Sequence, residues 1–203
     1  ISIGASENAL RLILLSELEH FCARYPHVRI RLLNYSAPQA VKALENNIID
    51  FAIVSTPVLV HKHMHQEKLV SYDEILLGGT KYKQFAQQVH YLEDISEMPL
   101  IGLCEGSSTH THYSRFFMEH DLPFEPDMEA AMTDQVLPMI THNLGIGFYP
   151  KSLALEAIEK ELVFPIELTE PLPNRDVVVI TNNHTPINSA SRRFLEFLLE
   201  NRK

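Results

Sequence analysis

Asn143-Leu144-Gly145-Ile146-Gly147-Phe148-Tyr149-Pro150 decides the reading of this chain, because a short apolar strand closed by Gly and Pro belongs beside a ligand cleft. The preceding residues strengthen it. Met132 to His142 has helical spacing, with Val136, Met139 and Ile140 as the apolar face. Gly145 and Gly147 allow close backbone packing, and Pro150 ends the strand.

The opening of the chain supplies the second half of the pattern. Ile1-Ser2-Ile3-Gly4-Ala5-Ser6 reads as a strand running directly into a helix from Glu7 to Tyr25, with Ser6 placed to cap it. Leu10, Leu14, Leu18, Phe21 and Tyr25 share one helical face, and Pro26 stops the helix. Val28 to Leu33 alternates as a half-buried edge strand does. A helix from about Pro38 to Asn46 follows, with Ala37, Ala40, Val41, Leu44 and Ile48 clustered, and Asp50 to Val54 completes a third strand. This βαβαβ order implies a parallel sheet with its loops at the carboxyl ends of the strands.

Farther along, Leu100 to Leu103 precedes a helix from Ser108 to His120, and Phe124 to Ala130 precedes the helix that ends at His142. Ile146 to Tyr149 is followed by a short helix near Leu153 to Ile158. Asp176-Val177-Val178-Val179-Ile180-Thr181 is a β-branched run that returns as a strand. Ile187, Ala190, Phe194, Leu195 and Leu198 then form an amphipathic last helix on the first lobe. The expected class is α/β, with two Rossmann-like lobes joined by two crossover strands. Lobe I takes residues 1–58 and 182–203, lobe II takes 70–170, and residues 59–69 and 171–181 form the hinge.

Four motifs in this order resemble the effector-binding domain of LysR-type transcriptional regulators, a bacterial family. They are Ile3-Gly4, Phe21-Cys22-Ala23-Arg24-Tyr25-Pro26-His27-Val28, Ile49-Asp50-Phe51-Ala52-Ile53 and Gly145-Ile146-Gly147-Phe148-Tyr149-Pro150. The likeness spans almost the whole chain. Asn143 occupies a position where the family usually has Gly, and since Asn tolerates a left-handed backbone the turn is expected to survive. The resemblance implies a type 2 periplasmic-binding-protein-like fold and a small-molecule effector held between the lobes. It also implies a homodimer, with a tetramer open to the full-length protein, and DNA binding through an N-terminal winged helix-turn-helix that would precede this chain.

Composition agrees with a globular unit: 203 residues, 45% of them hydrophobic, can bury a sizeable core. A net charge of -9 argues against this segment gripping nucleic acid, which requires clustered cations. Arg192, Arg193, Arg202 and Lys203 make a small basic cluster that reads as a solvated helix face. No apolar stretch approaches bilayer length and no basic region with a cleavage site opens the chain, so neither a membrane span nor a signal peptide is expected. The expected location is the cytoplasm. Two cysteines provide no disulfide framework. Cys22 is expected near the core face of the first helix, and Cys104 ends a strand; an inert role is the better reading for Cys104 than a redox one.

Ligand contacts are expected where helix starts and strand-end loops converge. On the first lobe these are Ser6, Glu7, Asn8, Ser36, Gln39, Ser55 and Thr56; on the second they are Ser107, Ser108, Thr109, Thr133, Asp134 and Phe148. Hydroxyl and amide groups of this kind donate hydrogen bonds to a ligand, although helix capping alone also selects Ser, Thr, Asn and Asp. Glu7, Glu105 and Asp134 would repel a second negative charge unless paired or protonated, which leaves a zwitterionic or cationic ligand open. Phe148 and Tyr149 suit either a cleft wall or ordinary core.

His61-Lys62-His63-Met64-His65 places three imidazoles on one side of an extended segment, but strand spacing makes them poor at converging on a metal. His110 and His112 form an i, i+2 pair that a helix would separate. The chain carries no nucleophile elbow, zincin motif, phosphate loop or dinucleotide fingerprint, so no enzyme, metal or cofactor is expected. The leading reading is a sensor in which a metabolite shifts the populations of open and closed lobes. The alternative is a periplasmic solute-binding protein of a transporter, which shares the architecture.

Overall fold

The computed structural model describes residues 1–200, so Arg202 and Lys203 of the basic cluster lie outside the described residues. The chain divides into two compact units: unit 1 is Ile1–Ser71 with the chain from Asp176 onward, and unit 2 is Tyr72–Arg175. Eleven strands are formed among the described residues: β1 (Ser2–Ala5), β2 (Arg31–Asn34), β3 (Phe51–Ser55), β4 (Met64–Tyr72), β5 (Glu74–Gly79), β6 (Val89–His90), β7 (Leu100–Leu103), β8 (Met128–Ala130), β9 (Ile146–Pro150), β10 (Val163–Leu168) and β11 (Arg175–Asn182).

In unit 1 the sheet order is β2-β1-β3-β11-β4. β1 runs parallel to β2 and β3, with Ile3 opposite Leu32 and Phe51, whereas β11 is antiparallel to β3, with Val179 opposite Ile53. β2 is the sheet edge and is mostly exposed, as its alternation requires, but it begins at Arg31 rather than Val28. β4, Met64–Tyr72, takes in residues 64–69 of the expected crossover and the first residues assigned to lobe II, and forms the other sheet edge. Alternate residues of β3 divide between its faces. Ala52 and Val54 pack with Ala40, Val41 and Leu44 of the helix Ala37–Glu45. Phe51 stacks on Phe194 of the last helix, Ser189–Glu200, at 5.7 Å, and Phe194 meets Phe21 of the first helix edge-on at 4.9 Å.

The first helix departs from the expected regular α-helix. α-Helical turns at Glu7–Ala9 and Leu15–Arg24 flank a π-helical segment, Leu10–Leu14, where the Leu15 N–H donates to the carbonyl of Leu10. Leu14 and Phe21 of the expected stripe are fully buried, while Leu15 is 53% exposed. Cys22 is exposed, not near the core: Phe21 already takes the inward position, and the residue beside it turns to solvent. Asp50 of the third motif ties three elements together. Its carboxylate accepts from the Ser2 N–H at 2.8 Å, Ser191 Oγ at 2.7 Å and Asn188 Nδ2 at 3.1 Å. Burial works to raise the Asp50 pKa, but these donors more than offset it and hold it below the usual carboxylate range.

In unit 2 the sheet order is β6-β10-β5-β9-β7-β8, with β5 antiparallel to both β9 and β10 and β7 parallel to β8 and β9. One face packs Leu76, Phe148 and Ile166 against Tyr113, Phe116 and Phe117 of the helix Ser108–Met118. The other packs Leu77, Tyr149 and Val163 against Val136 and Ile140 of the helix Thr133–Thr141 and Ala154 and Ala157 of the helix Lys151–Glu159. Only Met128–Ala130 of the segment expected as a strand from Phe124 is one. The deciding stretch behaves as expected: a Cβ on Gly145 would lie 2.4 Å from the carbonyl oxygen of Pro99, so only glycine fits. Asn143 takes the left-handed backbone, φ 59°, and its Oδ1 accepts from the Lys81 N–H at 2.7 Å.

Candidate ligand-binding site

Parallel pairing in unit 1 brings the carboxyl ends of β1, β2 and β3 side by side, with Ala5 opposite both Asn34 and Ile53. The expected residues of this unit follow those ends. Ser6 stands at the helix N-cap position but makes no side-chain capping bond, a correction to the sequence reading: its Oγ accepts from the Ser55 N–H at 3.1 Å, so β3 holds the hydroxyl instead. Ser55 is 2% exposed, and its own Oγ has no hydrogen-bond partner among the described residues. Glu7 accepts from Asn34 Nδ2 at 3.2 Å, and Asn8 is buried. Thr56 is bonded twice to Asp176: its N–H donates to the Asp176 carbonyl at 2.8 Å, and its Oγ1 accepts from the Asp176 N–H at 3.0 Å. Ser36 and Gln39 are occupied in starting the helix Ala37–Glu45, where Gln39 Oε1 accepts from the Ser36 N–H at 2.9 Å.

Unit 2 brings Thr109, Thr133 and Phe148 together around a small crevice of about 10 Å³, the space of one water-sized group, whose wall also includes Glu74, Tyr113 and Phe124. Phe148 and Tyr149 are core residues, 6% and 1% exposed, and Phe148 stacks on Tyr113 at 4.2 Å. Ser107 caps its helix, its Oγ accepting from the His110 N–H at 3.0 Å; Ser108 is half-buried at the first helical position. Asp134 is exposed and does not line the crevice. A larger, open hollow of about 470 Å³ in the same unit is lined by Asp73, Glu167, Glu170, Pro165 and Leu172, among others, and by none of the expected ligand residues.

A buried charge cluster behind the crevice was not legible in the sequence. Arg175 and Glu74 have side chains 0% and 2% exposed and meet at 3.2 Å between Nη1 and Oε1. The same Nη1 donates to Thr109 Oγ1 at 3.0 Å, while the Tyr113 hydroxyl donates to Glu74 Oε2. Burial opposes the Arg175 charge, but Glu74 more than compensates and its pKa is raised. Burial, then Glu74, pushes the Tyr113 phenol well above its ordinary value, so it stays a neutral donor. His112 is pulled down to about 4, by burial first and by Arg175 second. The ion pair joins residues 101 positions apart, each opening an apolar strand. A charge at the threshold of such a run is the single local signal, and it does not name its partner.

The three imidazoles of the 61–65 segment do not converge. His61 and His63 lie face to face at 5.8 Å, and His63 stacks on His184 at 4.8 Å. Among the described residues no group of three or more His, Cys, Asp or Glu is arranged to hold a metal ion. His110 and His112 fall on the helix Ser108–Met118, as expected. Among the same residues no helix is long and apolar enough to cross a membrane.

The sequence profile of the LysR substrate binding domain matches residues 1–203. This chain belongs to the LysR substrate-binding domain family. It is a binding domain of a transcription-regulator family and not an enzyme. It is 21% identical over 198 residues to the HTH-type transcriptional regulator YofA of Bacillus velezensis, covering 98% of this chain and 66% of that protein. It is 22% identical over 161 residues to GltR of Bacillus subtilis, covering 79% of this chain and 52% of that protein. The chain thus spans between half and two thirds of the length of these relatives. Its periplasmic-binding-protein-like fold matches the regulatory domain of Synechocystis PCC6803 CcmR in complex with 2-PG, with a TM-score of 0.87 at 15% identity over 100% of this chain and 97% of that one. The effector-binding domain of QuiR in complex with shikimate matches with a TM-score of 0.85 at 16% identity over 100% of this chain and 96% of that one.

Proposed function

We propose that this LysR substrate-binding domain is the sensing part of a longer bacterial transcription regulator, in which a small metabolite bound by this domain changes how the full-length protein binds DNA or drives transcription. The ligand stabilises whichever conformation of the domain it binds more tightly, and nothing is chemically transformed. One observation carries the reading: the family match covers the whole chain. Ser6 and Ser55 at the carboxyl ends of β1 and β3 and Thr109 and Thr133 at the unit 2 crevice support it. The ligands of CcmR and QuiR support a small acid as the effector. The match to helix-turn-helix regulators favours this reading over a transporter's solute-binding protein.

The contacts we assign are Ser6, Glu7, Asn8, Ser55 and Thr56 on unit 1 and Ser107, Ser108, Thr109 and Thr133 on unit 2. Ser36, Gln39, Asp134 and Phe148 are reserved for outer contacts and support. DNA binding belongs to a separate N-terminal domain, and the protein works in the cytoplasm as a homodimer. Exposed Leu15 and Leu32 on unit 1 offer apolar surface for that pairing. The test is a thermal-shift screen of amino acids, organic acids, aromatic acids and nucleotides, followed by Ser6→Ala and Ser108→Ala. A ligand at a hundredfold excess over its Kd stabilises by about 2.7 kcal/mol, and both substitutions should reduce that gain. A ligand whose stabilisation survives both substitutions unchanged would rule out this site.

A further inference from the structure

We propose that Arg175 is a specificity-determining positioning residue: braced by Glu74, it sets the Thr109 hydroxyl as a hydrogen-bond donor, so that the ligand group entering the unit 2 crevice is an oxygen acceptor of a carboxylate or phosphate. This rests on the ligand-sensing reading above and ties its acidic effector to named residues of unit 2.

A threonine hydroxyl can donate one hydrogen bond and accept two. Here a buried guanidinium donates to Thr109 Oγ1 at 3.0 Å, which draws electron density from the oxygen and strengthens its O–H as a donor. A positively charged ligand would meet a hydroxyl already facing a cation. Glu74 lines the crevice, yet it does not invite such a ligand: Oε1 accepts from Arg175 and Oε2 from Tyr113, so both oxygens are engaged. Two other expected contacts share this polarity. Ser6 Oγ accepts from the Ser55 N–H at 3.1 Å, and Ser107 Oγ from the His110 N–H at 3.0 Å, so in each case a fixed N–H dipole turns the hydroxyl toward donation. Ser55 adds a hydroxyl 2% exposed, with no partner for its Oγ among the described residues. The crevice, of about 10 Å³, has room for one oxygen-sized group beside Thr109 and Thr133. The mixed charge of the loops, which includes Glu7 and Asp134, therefore understates their preference for acceptors.

The experiment measures thermal shift and binding isotherms on the 203-residue chain with two matched panels. One panel holds malate, 3-hydroxybenzoate, glycerol phosphate and inorganic phosphate; the other holds ethanolamine, putrescine and agmatine. The expected result is stabilisation by members of the first panel alone, the carboxylates and phosphates within it showing which oxyanion is read. Thr109→Val should then weaken binding about tenfold to a hundredfold, the range for a hydrogen bond to a charged group, and Thr109→Ser should restore it. Arg175→Lys should erode the preference for acids even if the fold loosens, and the Thr109 pair, which leaves the buried ion pair in place, decides the matter if that variant does not fold. Stabilisation by the amines alone, or Thr109→Val binding an acid as tightly as the parent, would overturn the inference while leaving the sensing role intact. If neither panel stabilises the chain but another compound of the wider screen does, the inference falls and the sensing role stands; no stabilisation anywhere in that screen would overturn the sensing role itself.

Discussion

Neutralising Glu74 should destabilise unit 2 far more than removing the whole ion pair. Arg175 has a side chain 0% exposed, and its charge lies 3.2 Å from Glu74 Oε1. At an effective dielectric of about 20 the attraction across that gap is on the order of 5 kcal/mol, against a desolvation cost of several kcal/mol per ion. Glu74→Gln keeps the shape but leaves the guanidinium buried beside a neutral amide, and breaking a buried pair this way costs about 3–5 kcal/mol. Arg175→Met strands the carboxylate, which retains the Tyr113 hydroxyl, so its cost should fall near the low end, about 3 kcal/mol. The double variant Glu74→Gln with Arg175→Met removes both buried charges and should lie within about 2 kcal/mol of the parent, giving a coupling of at least about 4 kcal/mol. Urea unfolding followed by far-UV circular dichroism and by tyrosine fluorescence would measure it, since the chain has 7 Tyr and no Trp. A double variant whose cost equals the sum of the two single costs within about 0.5 kcal/mol would refute the claim that the pair is a unit.

The pH dependence of stability should carry the signature of His112. Its folded pKa of about 4 lies below its ordinary 6.5, so below neutrality the unfolded chain takes up a proton that the native chain refuses. Stability contributed by the neutral imidazole is present above pH 6.5 and lost as pH falls toward 4; allowing for its partial exposure, the loss is about 2 kcal/mol. His112→Gln should flatten that part of the profile in urea melts between pH 7 and 4, and an unchanged slope would exclude the assignment. Asn143→Ala should cost about 2 kcal/mol by thermal melting, because it forfeits the bond to the Lys81 N–H and strains a left-handed backbone, whereas Asn143→Gly, which relieves the strain, should cost about 1 kcal/mol. Gly145→Ala should cost at least about 2 kcal/mol, since its Cβ would lie 2.4 Å from a backbone oxygen that cannot yield; an unaltered melting temperature would disprove that steric account.

Local chemistry made much of this protein readable before any coordinates. Gly145, Asn143 and the stripe of Leu14 and Phe21 announced a glycine-packed strand, a left-handed turn and a buried helix face, because each rests on backbone sterics or on residues within a few turns of one another. The parallel core of unit 1 followed from the strand–helix alternation, and the edge position of β2 from its alternating polarity. The first helix shows where such reasoning stops. Nothing local marks Leu10–Leu14 as π-helical, and Ser6 sits where a capping residue should, yet its hydroxyl turns to a backbone N–H 49 positions away.

Sequence by itself determined the family and the class of fold, since these depend on periodicity, turn residues and short motifs that act over neighbouring positions. Tertiary structure alone decided which distant polar groups meet. It joined Glu74 to Arg175 across 101 positions, engaged both oxygens of that carboxylate, and set the Arg175 guanidinium against the Thr109 hydroxyl. The physical reason is that a buried charge must find its partner wherever folding puts one, and the cost of leaving it unpaired is set by the surroundings and not by the residues beside it in the chain.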